Sequence, residues 1–256
     1  MSEPGVVERL RAAGCVFAEE EAELLGLAAA GPAELDAMVE RRIAGLPLEH
    51  VVGWAEFAGL RIEVDGGVFV PRRRTEFLVR QAVELARPGA VCVDLCCGSG
   101  AAAAVLLDSV EGAEVHASDI EPAAVRCARR NVEPRGGHVH EGDLFAPLPR
   151  GLRGRIEVLV ANVPYVPSGD VPLLPPEARD HEPLVALDGG SDGLDVLRRV
   201  AAEAAHWLAP GGHLLSETSE RQAADALAAV QAQGLVARVV EDEDLYATVI
   251  VASRNS

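Results

Sequence analysis

Lysine is missing from all 256 residues, and each of the 23 basic side chains is an arginine. We read that absence as codon bias rather than chemistry. Positive charge is scarce overall, since 40 acidic residues bring the formal net charge to −17. Such a balance argues against tracking a nucleic-acid backbone, whose phosphates are neutralised by clustered Lys and Arg. It suits a basic protein partner reached by long-range steering. No apolar run has the ~20 residues that span a bilayer, and Met1-Ser2-Glu3-Pro4 brings no basic flank before a hydrophobic stretch. No membrane association is expected, and the expected compartment is the cytoplasm. Cysteine is sparse and odd in number: Cys15, Cys92, Cys96, Cys97 and Cys127 lack metal-ligand spacing. Adjacent Cys96 and Cys97 are poorly placed to bridge each other. Reduced thiols and no metal are therefore expected. Internal repeats and long low-complexity segments are also absent. The length accommodates one large domain with a substantial core and a small appendage.

What is present begins with Ala90-Val91-Cys92-Val93-Asp94-Leu95-Cys96-Cys97-Gly98-Ser99-Gly100, followed by the apolar residues 101–107. The pattern reads as buried strand, tight loop and helix. Gly98 and Gly100 leave no side chain between backbone and ligand, and the helix presents its first N–H groups at the same place. A second strand, Glu114-Val115-His116-Ala117-Ser118, ends in Asp119, where a carboxylate can take both hydroxyls of a ribose. NAD and S-adenosylmethionine sites share this layout. The full G-x-G-x-x-G pattern is broken, because position 103 is Ala103. A third acid, Asp143, sits in Gly142-Asp143-Leu144-Phe145 after the next strand, and the balance shifts toward the methyl donor.

The fourth strand, Ile156-Glu157-Val158-Leu159-Val160-Ala161, delivers Asn162-Val163-Pro164-Tyr165. A planar amide or exocyclic amine has its lone pair delocalised, so methylation requires that the nitrogen be held in line with the donor. The Asn162 side-chain oxygen can accept one N–H of an NH2 group and the Val163 carbonyl the other. Pro164 stiffens the turn, and Tyr165 offers a flat face. An ordinary strand-to-loop exit would use the same turn formers.

With these two motifs the chain resembles the protein-(glutamine-N5) methyltransferase family that modifies peptide-chain release factors. The likeness extends to Pro47-Leu48-Glu49-His50-Val51-Val52-Gly53, Glu56-Phe57, Val70-Pro71-Arg72-Arg73-Arg74-Thr75-Glu76, Glu182-Pro183, Leu187-Asp188-Gly189-Gly190-Ser191-Asp192-Gly193-Leu194, and the turn Leu208-Ala209-Pro210-Gly211-Gly212 with its strand through Glu217. The resemblance implies S-adenosylmethionine held by Asp94, Cys96, Cys97, Gly98, Ser99, Gly100, Asp119, Ile120, Asp143, Leu144 and Asn162. It further implies a glutamine amide, in a Gly-Gly-Gln loop of a release factor, held by Asn162, Val163, Pro164 and Tyr165. Asp94 ranks below Asp119 and Gly98, as an acid that pins the loop. Three departures stand out. Val163 replaces the first Pro of Asn-Pro-Pro-Tyr; Cys96-Cys97 replaces Gly-Thr, so loop dihedrals are expected to differ; and Arg73-Arg74 interrupts the segment before Thr75-Glu76. Arg72 to Arg74 are read as binders of an acidic substrate group or as a solvated loop. Glu217 is read as facing the site, or equally as meeting solvent or capping a helix. None of His50, His181 and His213 is cast as a base. The rival functions are a small-molecule N-methyltransferase of secondary metabolism, a nucleic-acid amine methyltransferase, and a non-catalytic cofactor binder.

Apolar spacing predicts helices over residues 5–53, with Leu10, Leu24, Leu25, Leu27, Leu35, Met38, Val39 and Ile43 on inner faces and Gly31-Pro32 before the last helix. Residues 54–58 and 60–64 predict a hairpin. From Thr75 onward helices and strands alternate, predicting an α/β fold of the class I methyltransferase, Rossmann-like type. It is a seven-stranded, mostly parallel sheet covered on both faces, whose last strand is antiparallel. The expected division is 1–53 for a helical substrate-docking unit, 54–74 for a hairpin linker and 75–256 for the methyltransferase domain. Residues 164–183, rich in Pro and acid, are expected to line the substrate entrance.

Overall fold

A computed structural model describes residues 5–255, so the reading of Met1 to Pro4 lies outside the described residues. The first helices are α1 (Val6–Ala12), α2 (Ala18–Ala28), α3 (Pro32–Ile43) and the short α4 (Leu48–Val52). Pro32 stands in the first turn of α3, where its missing N–H has no helical partner to lose. Leu10, Leu25, Met38, Val39 and Val51 bury one another in a cluster of their own. Two expectations change. The helix after Gly31-Pro32 is followed by another, α4, closed by Gly53 in the left-handed region at φ 83°. Leu27 faces solvent at 78% exposure, one position away from the stripe through Leu25.

The hairpin of β1 (Trp54–Phe57) and β2 (Leu60–Glu63) pairs Phe57 with Leu60 across Ala58-Gly59. Both turn residues have positive φ, 49° and 78°, the twist that matches two right-handed strands. The remaining elements are α5 (Thr75–Leu85), β3 (Val91–Leu95), α6 (Ala101–Ser109), β4 (Glu114–Asp119), α7 (Pro122–Val132), β5 (His138–Glu141), β6 (Ile156–Ala161), α8 (Pro176–His181), α9 (Asp195–Trp207), β7 (Leu208–Thr218), α10 (Ala223–Gln231), β8 (Val236–Asp242) and β9 (Ala247–Ser253).

Seven of these strands form one sheet in the order β5-β4-β3-β6-β7-β9-β8. β5, β4, β3, β6 and β7 run parallel, and β9 is antiparallel to both its neighbours. Every residue of β3 is buried, as expected of a central strand covered on both faces. One apolar cluster joins Cys92, Val158 and Val160 to α5, α6 and α7; the other joins Val93, Leu95 and Leu159 to α9 and α10. Strand order reverses at β3, because β4 lies on one side and β6 on the other, so the loops leaving β3 and β6 diverge around a crevice.

β7 is longer than the expected strand at 213–217. It starts at Leu208, shifts register between Ile156 and Val158 of β6, and brings Gly212 so close that a Cβ there would lie 2.5 Å from the Ile156 carbonyl. The helix expected from Ser219 begins as a 3-10 turn, Glu220–Gln222, before α10.

Candidate active site

The chain leaves β3 through a loop whose backbone is left-handed at Cys96 (φ 55°), Gly98 (54°) and Gly100 (77°). Cys96 therefore holds a left-handed conformation that a glycine adopts freely. A side chain there costs about 1–2 kcal/mol of local strain. The surroundings over-determine the loop. Gly98 N–H donates to Asp119 Oδ2 at 2.8 Å, and Glu121 N–H donates to Asp119 Oδ1 at 2.9 Å. Behind the loop, buried Asn131 on α7 donates to the Ser99 carbonyl (2.8 Å) and the Glu63 carbonyl (2.9 Å) and accepts from Glu63 N–H (2.9 Å). One side chain thus ties the hairpin to the loop; sequence reasoning missed it, since an Asn in a helix carries no distinguishing signal.

Asp94 is 2% exposed, and its Oδ2 accepts the Ala103 N–H at 3.1 Å, which anchors the first turn of α6. Burial drives its pKa up to about 7. Burial also raises Asp119, against the two backbone donors that favour its charged form. Each Asp119 oxygen has accepted one N–H and keeps further acceptor capacity, so the carboxylate can also receive a pair of hydroxyls. Gly98 has open space where a Cβ would stand, the nearest atom being Phe69 Cβ at 3.9 Å. These features fit a nucleoside with two ribose hydroxyls.

Asn162, Val163, Pro164 and Tyr165 border the same cavity, of about 430 Å³, as Asp94, Cys96, Cys97, Gly98, Ser99, Asp119, Ile120, Asp143 and Leu144. Gly100 stands just behind it, packed on α7. The Asn162 Nδ2 donates to Thr75 Oγ1 at 3.4 Å. Among the described residues nothing donates to its Oδ1 or to the Val163 carbonyl. The Tyr165 hydroxyl donates to Glu217 Oε1 at 2.8 Å, and burial raises its pKa. Two of the three glycines of residues 187–194 serve this turn: a Cβ on Gly189 would meet the Pro164 carbonyl at 2.6 Å, and one on Gly193 the Tyr165 carbonyl at 2.2 Å. Val166 N–H donates to the Leu187 carbonyl at 3.0 Å, and Gly189 N–H donates to the Val166 carbonyl at 2.9 Å across the same contact.

Glu217 does not meet solvent; its carboxylate sits at the start of α5, bonded to the side chains of Arg74, which precedes the helix, and Thr75, the first residue of the helix. Its side chain is 1% exposed at the end of β7 and accepts Arg74 Nε at 2.8 Å, Thr75 Oγ1 at 2.7 Å and the Tyr165 hydroxyl. Arg72 is engaged likewise, its Nη2 donating to both oxygens of buried Glu182 at 2.6 Å, and Glu182 also accepts Val70 N–H at 3.1 Å. The reading of Arg72 to Arg74 as free binders of an acidic group is therefore corrected for Arg72 and Arg74, which neutralise carboxylates of the fold itself. Asp143 lies on the cavity wall in an ion pair with Arg199. Cys96 and Cys97 have pKa values raised by burial, so they stay neutral thiols that line the cavity without filling it. His50 is buried against the Val68 carbonyl at 2.8 Å, and burial lowers its pKa.

Residues 164–183 are not a bare connection. Leu174, Pro175, Glu177 and Ala178 line the cavity, the last two on α8. Arg42 of α3, 10% exposed, donates through Nε and Nη2 to Glu21 and through Nη1 to Glu177 at 2.6 Å. This fork binds the early helices to the cavity wall, across a sequence separation that no local pattern spans.

Known proteins place these features in context. A family model described as "Methyltransferase small domain" matches residues 60–171. A protein of Geobacter sulfurreducens named release factor glutamine methyltransferase is 40% identical over 201 residues, 77% of this chain and 70% of that one. A Streptomyces pristinaespiralis protein named 4-amino-L-phenylalanine/4-methylamino-L-phenylalanine methyltransferase is 38% identical over 203 residues, 77% of this chain and 68% of its own. Among solved structures, a methyltransferase from Pyrococcus furiosus superposes with a TM-score of 0.60 at 15% identity, covering 88% of this chain and all of that one. That likeness shows the class I methyltransferase fold.

Proposed function

We propose, because the chain belongs to the release factor glutamine methyltransferase family, that it methylates the side-chain amide nitrogen of a glutamine in a release-factor Gly-Gly-Gln loop. The observation that carries the reading is a single cavity bordered both by the glycine loop with Asp119 and by Asn162, Val163 and Tyr165. S-adenosylmethionine supplies an electrophilic methyl on sulfur. Around it, Gly98 and Gly100 let the backbone approach, with Cys96, Cys97 and Ser99 forming the rest of the loop and Asp94 holding it against α6. Asp119 receives the ribose hydroxyls, Ile120 covers one side of the base, and Asp143 with Leu144 takes the adenine edge. The Asn162 Oδ1 and the Val163 carbonyl accept the two N–H groups of the substrate amide. Two acceptors aimed at one nitrogen fix its orientation and favour pyramidal geometry, and orientation of this kind supplies roughly 7–11 kcal/mol in favourable cases. Tyr165, immobilised by Glu217, presents its ring to the planar amide. Val163 keeps the carbonyl that the clamp needs. The helices of residues 1–53 dock the protein substrate, 54–74 link, and 75–256 carry the reaction. The net charge of −17 favours a basic partner, and the compartment is the cytoplasm.

The test incubates the purified protein with labelled donor and release factors and locates the added methyl by peptide mass spectrometry. Asn162→Ala is expected to abolish transfer and to leave donor affinity, read by calorimetry, unchanged. Normal turnover by that variant removes the clamp from the reading. A second reading is favoured by the S. pristinaespiralis relative and by Val163: an arylamine also offers two N–H groups and a delocalised lone pair to the same acceptors. Running 4-amino-L-phenylalanine as a parallel acceptor separates the two, and methylation of the free amino acid alone would displace the protein substrate.

A further inference from the structure

We infer that Glu217 is a positioning residue that sets the hydrogen-bond polarity of the clamp through Thr75, so that Asn162 presents an acceptor and not a donor to the substrate. The inference rests on the amide-clamp reading above and deepens it.

The argument is one of counting protons. An ionised carboxylate can only accept, and a hydroxyl has one proton to give. Thr75 Oγ1 lies 2.7 Å from Glu217 Oε2, so its proton is committed there. Toward Asn162 the hydroxyl can then only accept. The Asn162 amide, at 3.4 Å, is obliged to turn Nδ2 toward Thr75, because its oxygen in that place would face another oxygen with no proton between them. Oδ1 is thereby directed away from Thr75 and left without a protein donor, on a side chain that borders the cavity. The opposite amide orientation would present an NH2 group to the substrate's own NH2, donor against donor.

The second oxygen of Glu217 decides what a neutral replacement would do. Oε1 accepts Arg74 Nε at 2.8 Å and the Tyr165 hydroxyl at 2.8 Å, and the guanidinium can only donate. In Glu217→Gln the amide oxygen must stay on that side, which directs Nε2 at Thr75. Thr75 then accepts from the glutamine and donates to Asn162, and Asn162 turns over. Polarity reverses along the chain of bonds with no change of shape. Thr75→Val removes the relay and leaves the Asn162 amide free in either orientation.

The experiment measures kcat and KM for both substrates, with donor affinity by calorimetry, in the full-length wild type, Glu217→Gln, Thr75→Val, Thr75→Ser and the Glu217→Gln/Thr75→Val double variant. Glu217→Gln is expected to lower kcat about a hundredfold, the scale for losing one aligned polar group at a reacting centre, with donor affinity unchanged. Thr75→Val is expected to cost about tenfold, and Thr75→Ser to recover most of that loss. The double variant is expected to return to the level of Thr75→Val, because removing the hydroxyl releases the misdirected amide. A purely structural role cannot produce that recovery, since two packing defects do not repair one another. Equal kcat in Glu217→Gln and wild type overturns the relay, and so does a double variant worse than Glu217→Gln. If Glu217→Gln does not fold, the comparison of Thr75→Val with Thr75→Ser decides, and equal loss in both overturns the relay. A wild type that transfers to no acceptor removes the function reading itself, and the relay with it; an active wild type with an indifferent Glu217 removes the relay alone.

Discussion

Two glycines flank Ser99 and look alike in the sequence, yet the structure gives an alanine at each a different cost. Gly98 has φ 54° and open space at its Cβ position, the nearest atom standing at 3.9 Å. Gly98→Ala therefore incurs only left-handed strain, about 1–2 kcal/mol, partly offset by the smaller entropy that alanine has in the unfolded chain, about 0.4–1 kcal/mol. Gly100 has φ 77°, and its Cβ would stand 2.8 Å from Val132 Cγ2 and 3.2 Å from Ala128 Cα. The second contact is backbone of α7, which Asn131 locks to the same loop, so it cannot withdraw cheaply. Overpacking adds about 1–3 kcal/mol, for a net loss of roughly 2–4 kcal/mol. At about 2–4 °C of Tm per kcal/mol in a domain of this size, Gly100→Ala is expected to melt roughly 5–15 °C below wild type. Gly98→Ala should lose only a few degrees but bind S-adenosylmethionine far more weakly, since its methyl enters the cavity. Thermal unfolding and calorimetry on both variants provide the comparison. A Gly100→Ala protein as stable as Gly98→Ala, or a Gly98→Ala protein with undiminished donor affinity, refutes the division of labour.

Other expected outcomes follow from the same geometry. Asp94, whose folded pKa of about 7 lies above its ordinary 3.8, binds more protons folded than unfolded between those values. Stability from this group is therefore present at low pH and lost as pH rises from about 4 to about 7, and the urea midpoint of Asp94→Asn should fall less over that window than that of wild type; identical slopes would reject the buried acid. The lowered pKa values of His50, His116 and His140 act in the opposite sense, removing stability as pH falls below 6.5. Arg42→Ala leaves the carboxylate of Glu21 buried without its fork and should destabilise by about 3 kcal/mol in urea unfolding, whereas a change under 1 kcal/mol would show that the fork is idle. Cys96→Gly relieves a left-handed side chain and should stabilise by up to about 1 kcal/mol; a loss of stability would mean that thiol packing outweighs the strain.

The alternation of buried strands and helices from Thr75 onward, the two glycines after β3, Asp119 at the end of β4 and the Asn-Val-Pro-Tyr turn after β6 were all legible as local pattern, because each depends on spacing and chain stiffness within a few residues. The same local physics located the hairpin and the proline start of α3. Local pattern was silent where partners are remote. Arg72 and Arg74 read as free cations, and only the fold brings Glu182 and Glu217 to them across more than a hundred residues. Leu27 read as an inner residue because spacing within one helix does not say which neighbours will cover it.

From the chain alone, then, come the order of elements, the ligand-facing motifs and the acidity that disfavours a nucleic-acid partner, since propensity, periodicity and charge are properties of neighbouring residues. Tertiary structure alone decides that the glycine loop and the amide-gripping turn share one cavity, that Cys96 adopts a glycine's backbone, and that a buried Glu217 takes the Thr75 proton and so leaves Thr75 to accept from Asn162. Those outcomes depend on which distant groups are brought within 3 Å of one another and cut off from water, and burial of that kind is settled only when the whole sheet has closed.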